Sequence, residues 1–528
     1  MTKQPVQDGI VVRQEAAKLK REITLIPLFS LIYFTVCGGA FGFEAVVGFS
    51  GPILALLLMI LTPLFFSIPN MLIVREMNSM MPDEGGYYHW VKQAFGPLAG
   101  FMAGWMNWVV SWVDVSIYPV LAAYYIGYFI PAIREGAVIL GVQVDGWILQ
   151  WAVGLLLIVV ITLLNIRGAK LVGMTASWLG VVMLLPLLAM SVVGIANWIR
   201  SGVTISLPLL PPGENLTGAL SVGLFIVMWN FIGWELPTAA GDEIVNPKRT
   251  YPLAMAMVLV AAIATYALPT LAGLYGGAGA NGQYLLWGQE EYEDGQGIAV
   301  VLSDYGIQDD QIEAWGVNPQ SAVGWEYPDI AHAIGAAASG DENGFLAKFL
   351  GITVSFSAIL SMIGLFIGNS LGGTRVPFAM AEDGMMPKWM VKVHPKYGTP
   401  WVAILICGII YTIFTLQAFS FLVVVDVFLN MLVLLMEIAA LWKLRKSMPN
   451  LERQKVPGGL VGLIYVTLGP VIFVSFAIFS QMVEEGLQSL WLALVAMAIG
   501  AAVYFVLRKT VKPGIPDVDP FRPDPEEI

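Results

Sequence analysis

An all-α integral membrane fold with about twelve spanning helices is what this sequence predicts, on three observations. Of 528 residues, 57% are hydrophobic and only 12% charged, with a mean hydropathy of +0.74. Soluble chains are nearer a quarter charged, so composition selects a membrane protein. Uncharged runs are long: Pro52–Val74 has 23 residues and Leu171–Ile199 has 29. A helix needs about 20 residues to cross a bilayer, whereas barrel strands are shorter and alternate. Finally, the cations are segregated. With the N-terminus placed inside, all of the 27 Lys and Arg except Arg134, Arg200 and Lys348 fall in cytoplasmic segments. The positive-inside rule then puts both termini in the cytoplasm of a multi-pass inner or plasma membrane protein.

Residues 1–22 read as a cytoplasmic tail ending in Lys18, Lys20 and Arg21, with no cleavable signal. A transmembrane domain follows over 23–510, with spans at 23–48, 52–74, 97–130, 147–165, 171–199 and 217–240. The remaining spans are 252–277, 346–373, 400–418, 421–443, 460–482 and 487–507. Two inner connectors, 75–96 and 374–399, mix Met, aromatic and basic residues and suit a membrane interface. The tail 511–528 carries five prolines and reads as unstructured. Segment 279–344 is too long for a plain connector, and holds twelve Asp and Glu with no Lys or Arg. It faces outside on this topology, with short helices over 298–315 and YPDIAHAIGAA. A lid, a docking surface for an unknown partner, and an acidic decoration all remain open.

Two spans share an interruption, Gly42-Phe43-Glu44 and Gly233-Trp234-Glu235. Glycines loosen helical hydrogen bonding, and an acid at bilayer depth costs about 2.5–3.5 kcal/mol or more. Matched breaks in two halves of a chain mark the substrate site of a secondary transporter. The plain alternative is a glycine-rich helix crossing. The first break offers N–H groups to a carboxylate, and the second, near Phe231–Pro237, offers carbonyls to an ammonium. At a central cavity, Glu44 and Glu235 would carry a proton or pair with a cationic substrate; in straight helices they would sit solvated at the interfaces. Asp114, between Trp112 and Tyr118, is a further proton-coupling candidate. Trp229, Phe231 and Trp234 suit an aromatic gate, and Asp426 is expected to be solvated.

Other chemistries find little support. Cys37 and Cys407 lie within spans, and His89, His332 and His394 are scattered, so neither a disulfide framework nor a metal site is expected. Gly277–Gly282 fits G-x-G-x-x-G but follows a membrane helix and not a strand. There is no Walker lysine motif, no nucleophile–base pair in a span, no implied cofactor and no nucleic-acid footprint. The sequon Asn215-Leu216-Thr217 matters only in a glycosylating host.

Several stretches resemble the amino acid–polyamine–organocation superfamily: ITLIPLFSLIYF (23–34), GGAFGFE (38–44), SGPILALL (50–57) and FFSIPNMLIVREM (65–77). DEGGYYHWV (83–91), AFGPLAGF (94–101), IYPV (117–120), LNIRGAKLVG (164–173), AEDGMMPKW (381–389) and KYGTPWVAIL (396–405) continue the series. Within it the chain is most similar to the polyamine:proton symporter and L-type amino acid transporter-like group. The resemblance implies a LeuT-like 5+5 inverted repeat, about 23–199 and 217–443, with helices 1 and 6 broken and extra helices over 460–507. It places Gly38, Gly39, Gly42 and Glu44, with Asn230, Phe231, Trp234 and Glu235, around the substrate. It implies alternating-access transport of an amino acid or polyamine, usually with protons. Three features depart from it: span 5 has no lysine beyond Lys170 at its inner end, span 8 has Asn369 where the polyamine group tends to an acid, and the loop after span 7 is longer than is usual there. Exchange without net proton coupling, and a non-transporting sensor or partner subunit, are the competing readings.

Overall fold

The computed structural model describes residues 24–81, 87–167, 176–202, 205–234, 245, 247–290, 296–382, 385–397, 399–450, 453–484, 486 and 491–510. The tails 1–22 and 511–528, Lys170 and Glu235 lie outside the described residues.

The chain is helical apart from one short hairpin among those residues. In order come α1 (Leu25–Val36), α2 (Glu44–Ser50), α3 (Pro52–Met80), α4 (Tyr87–Phe95) and α5 (Pro97–Ile126). Strands β1 (Ala137–Ile139) and β2 (Val142–Val144) follow, then α6 (Gly146–Arg167), α7 (Ala176–Ser201), α8 (Leu216–Trp229) and α9 (Pro247–Gly276). After α10 (Tyr327–Ser339) come α11 (Phe345–Glu382), α12 (Trp401–Phe414), α13 (Phe419–Ser447), α14 (Gly459–Glu484) and α15 (Trp491–Thr510). Eight of the described helices contain a stretch long and apolar enough to cross a membrane, and three shorter ones are apolar. Their outer faces carry exposed Leu156, Val159, Leu163, Leu468, Ile472 and Phe479, a surface that water would disfavour and lipid accepts. The protein is a multi-pass membrane protein.

Local chemistry sets the helix ends. Gly51 and Gly96 hold φ of +83° and +91° just before Pro52 and Pro97, so each glycine turns the chain and each proline starts a helix. Asn215, the sequon residue, caps α8 by accepting from the N–H groups of Thr217 and Gly218. The β1–β2 hairpin turns through Leu140 and Gly141, both at positive φ. The sequence reading leaves that hairpin out, because an isoleucine-leucine tip disguises the turn. The expected inner connector 374–399 also begins as helix, since α11 continues through Pro377 to Glu382.

Helix α5 is the central pillar. It packs on α4, α6, α11, α12, α13 and α15, and is the most buried of the membrane-length helices. The first expected span is two helices separated by Cys37–Phe43, where Gly38, Gly39 and Gly42 have φ of +56°, +116° and +88°. Beyond α8, Gly233 has φ +94°, and a Cβ there would lie 2.6 Å from the Thr35 carbonyl oxygen. The two interrupted segments are thus in direct backbone contact, which only glycine permits.

Segment 279–344 is bound tightly to α2. A Cβ on Gly48 would lie 2.0 Å from the Trp287 carbonyl oxygen, and one on Gly288 would lie 2.3 Å from Ala45 Cα. At the opposite end of the bundle, fully buried Glu76 of α3 accepts from Arg445 Nε of α13 (2.7 Å), from its Nη2, and from the Val456 N–H (2.6 Å). Removing one partner of a buried ion pair costs roughly 3–5 kcal/mol, and the partial exposure of Arg445 sets the low end here. Glu76→Ala is therefore expected to lower the midpoint of thermal unfolding in detergent by several degrees; an unchanged midpoint would show the clamp to be energetically idle.

Candidate functional site

On α5, Asp114, Tyr118, Leu121 and Tyr125 recur at the three- and four-residue spacing of one helical face. That face meets the first break. The Tyr118 hydroxyl donates to both Asp114 oxygens at 2.9 Å, and Trp229 Nε1 donates to Oδ1 at 3.3 Å. Asn369 Nδ2 of α11 in turn donates to the Tyr118 oxygen at 3.0 Å. Trp229 stands 6.4 Å from the Tyr118 ring and edge-on to Phe419 at 5.7 Å. Gly42 closes the group from below: a Cβ there would sit 3.0 Å from Trp229 Cζ3 and 3.4 Å from Phe419 Cζ. Among the described residues, no Lys or Arg pairs with Asp114. The arrangement is an acid held by neutral donors beside aromatic rings, chemistry that suits a cation.

Asp426 of α13 is a correction. It was expected to be solvated near a helix end, but is fully buried and close enough to Tyr118 to act on it electrostatically. The cause is cover. Glu290 of segment 279–344 accepts from the N–H groups of Phe419 (3.0 Å) and Ser420 (2.7 Å) and from the Tyr124 hydroxyl (2.9 Å), capping α13 and sealing its first turns. Burial pushes the Glu290 carboxyl up, against the pull of those hydrogen bonds.

Two helical turns beyond Asp114's partner Tyr118, roughly 10 Å along α5, a second acid group forms around Glu44. Glu44 is fully buried at the start of α2, and its Oε1 accepts from the Tyr125 hydroxyl (3.1 Å) and the Tyr327 N–H (3.4 Å). The acid beside it is Glu326, buried at the start of α10: Tyr327, whose N–H reaches Glu44, is the next residue, and the Glu326 carboxyl accepts from the Asp329 N–H. Close by, Arg134 Nη1 pairs with Asp329 Oδ2 at 2.9 Å, while its Nε and Nη2 donate to the Tyr124 carbonyl.

The second break is arranged otherwise. Its carbonyls were expected to be free for an ammonium, yet three of them are taken. Asn230 O accepts from the Tyr266 hydroxyl (2.8 Å), Phe231 O from Trp234 Nε1 (2.7 Å) and Ser67 Oγ (3.3 Å), and Trp234 O from the Tyr251 hydroxyl (3.4 Å). Hydroxyls on neighbouring membrane helices satisfy what the break exposes. Asn230 turns its amide back to Ile226 O, and Phe231 packs edge-on to Tyr266. In the first break, Gly38 O accepts from Ser361 Oγ and Gly39 O from Cys37 Sγ (3.4 Å).

Of the sequence candidates, then, Gly42 and Asp114 come together around Trp229, and Glu44 stands two turns away with Tyr125. Gly38, Gly39, Asn230, Phe231 and Trp234 maintain the breaks, and Glu235 lies outside the described residues. Sequence reasoning missed Tyr118, Tyr125, Glu290 and Glu326. The repeated spacing from Asp114 through Tyr118 to Tyr125 was available as a signal for the tyrosines; nothing local signals the two glutamates.

A sequence model of the amino acid permease family matches residues 23–504. The chain is 29% identical to the polyamine transporter PUT1 of Oryza sativa subsp. japonica over 514 residues, covering 95% of this chain and 83% of that protein. It is also 29% identical to the polyamine transporter RMV1 of Arabidopsis thaliana over 502 residues, covering 94% and 87%. An uncharacterized transporter of Legionella pneumophila is 27% identical over 420 residues, covering 76% and 77%. With the match running almost from end to end, the chain belongs to the amino acid permease family and is a transporter, not an enzyme.

Proposed function

We propose that this permease moves a polyamine, or another amine-bearing solute such as an amino acid, by alternating access in symport with protons. The carrying observation is Asp114 inside α5, uncompensated by a described cation and flanked by Tyr118 and Trp229. An ammonium ion placed there gains a charge-assisted hydrogen bond and aromatic faces in a setting that excludes water. Buried Asp426 lies within electrostatic range of the same tyrosine, which favours a substrate with more than one positive charge. The names of the two plant relatives point the same way.

The topology proposed with it has twelve crossings. The repeats are 23–199 and 217–443, with α1–α2 and the α8 region as the broken members and the helices over 460–507 outside the repeats. Both termini face the cytoplasm of the plasma membrane, so segment 279–344 lies outside. The substrate side of the site comprises Gly38, Gly39, Gly42, Asn230, Phe231 and Trp234 as the scaffold of the breaks, with Asp114 and Trp229 as contacts. Glu44 carries the proton, and Glu235 is a further candidate for either role.

Purified protein in liposomes tests this. Labelled spermidine or putrescine is expected to accumulate when the outside is acidic and the inside alkaline, and to stop accumulating when the gradient is collapsed. Uptake that needs internal amine and ignores the gradient would replace symport with exchange. Asp114→Asn removes the charge while keeping the shape. Losing a hydrogen bond to a charged partner is worth about 1.5–3 kcal/mol, so KM for the amine is expected to rise about 10- to 100-fold. Trp229→Ala is expected to weaken amine binding about 5- to 10-fold through the lost ring face. An unchanged KM in both variants would move the substrate away from α5.

A further inference from the structure

We propose that Glu326 and Glu44 form a single shared proton site, which makes segment 279–344 a working part of the coupling machinery. This rests on the proton-coupled reading above and supplies its second carboxyl. Glu326 is 3% exposed and Glu44 is fully buried. Both Tyr125 and the Tyr327 N–H donate to Glu44 Oε1, and no N–H or O–H donor of a described residue reaches Oε2. The neighbouring acid is Glu326: the Tyr327 N–H that reaches Glu44 belongs to the next residue, and the Glu326 carboxyl accepts from the Asp329 N–H, so the two buried carboxyls meet at the start of α10. An ionised carboxylate only accepts, so the contact needs a proton on one of the two. Two buried carboxylates in contact do not both ionise readily; the pair keeps one proton between them.

Beyond the N–H groups of Tyr327 and Asp329 at the start of α10, which Glu44 and Glu326 already engage, the charged and titratable surroundings leave little to neutralise a second negative charge. From α5 come the Tyr124 and Tyr125 hydroxyls, the first committed to Glu290 and the second to Glu44. Glu290 is held by the start of α13. Tyr327 pairs its hydroxyl with Thr270 of α9 at 3.1 Å, and Tyr266 of the same helix is committed to Asn230 O. Arg134 is the described cation nearby, and it is paired with Asp329. Burial above all, and then the Glu44 charge, pushes the Glu326 carboxyl well above its ordinary range, with Arg134 pulling the other way.

The proton balance is simple. In the protonated pair, one carboxyl O–H donates to the other carboxylate. Release to water breaks that O–H bond and leaves two carboxylates facing each other across the contact between α2 and the segment leading into α10. Proton release and loosening of that contact are therefore linked, and by reciprocity so are proton uptake and its closure. A separation of 282 positions conceals the pair in the sequence.

Infrared difference titration of the full-length protein in lipid reads the pair directly, without transport. A protonated-carboxyl C=O band is expected to titrate in the wild type and to vanish in both Glu44→Gln and Glu326→Gln, because the surviving acid then accepts from an amide and ionises. The double variant is expected to look like either single one. In liposomes, both single variants are expected to lose gradient-driven accumulation and to retain counterflow, with the double variant no worse. A stability readout covers weak expression. The unfolded acid ionises above its ordinary value of 4.5, whereas folded Glu326 keeps its proton, so wild-type stability falls as pH rises from there to the raised folded value. Glu326→Gln flattens that fall, and Glu326→Asp, which keeps a carboxyl, restores the band at a shifted midpoint. Survival of the band in Glu326→Gln with its loss in Glu44→Gln would overturn the shared site. Loss of the band in both, with accumulation still following the gradient, would leave the pair standing and overturn its role in coupling.

Discussion

A polypeptide inside a bilayer must pair its own backbone polar groups, and most of this protein's design follows from how it meets that demand where helices stop short. Two segments are interrupted within the bundle. Their exposed carbonyls are met by side chains from other helices, Tyr266 on Asn230, Ser67 on Phe231, Tyr251 on Trp234 and Ser361 on Gly38, and by Trp234 of the break itself on Phe231. Glycine supplies the backbone angles, and the hydroxyls make the angles tolerable. The same groups cannot also hold a substrate without being given up, which directs attention from the breaks themselves to the acid facing them.

That acid sits on α5. One stripe of this helix carries Asp114 and Tyr118 at one level and Tyr125 at another, serving two carboxylate groups about two turns apart. Under the proposed function these would be a substrate level and a proton level on one rigid helix. Gly42 and Glu44 are two residues apart, so the packing of Gly42 on Trp229 and the Glu44–Tyr125 contact are joined through one short stretch of backbone.

Acids also fasten both ends of α13. Glu290 holds its first turn, and Glu76 grips Arg445 at its last. Neither is an ordinary surface salt bridge, because each carboxylate is buried and fully engaged by donors. Segment 279–344 contributes the first of these contacts as well as Tyr327 and Glu326 to the Glu44 group. An apparently decorative acidic stretch is thus divided. Some of its acids remain on the surface, and at least two are structural members of the interior.

The membrane class, the placement of most helices and both interruptions were legible in the sequence, because hydrophobic runs, glycines and prolines act within a few residues of themselves. Family membership was legible for the same reason, through local motifs such as GGAFGFE. The partners of each acid were not. Asp426 looked solvated from its distance to a helix end, but Glu290, far away in sequence, covers that end. The carbonyls near Phe231 looked free until α3 and α9 brought Ser67 and Tyr266 to them. Glu326 carried no local signal at all. A carboxylate's role depends on which charges and donors share its burial, and only the packing of distant segments decides that.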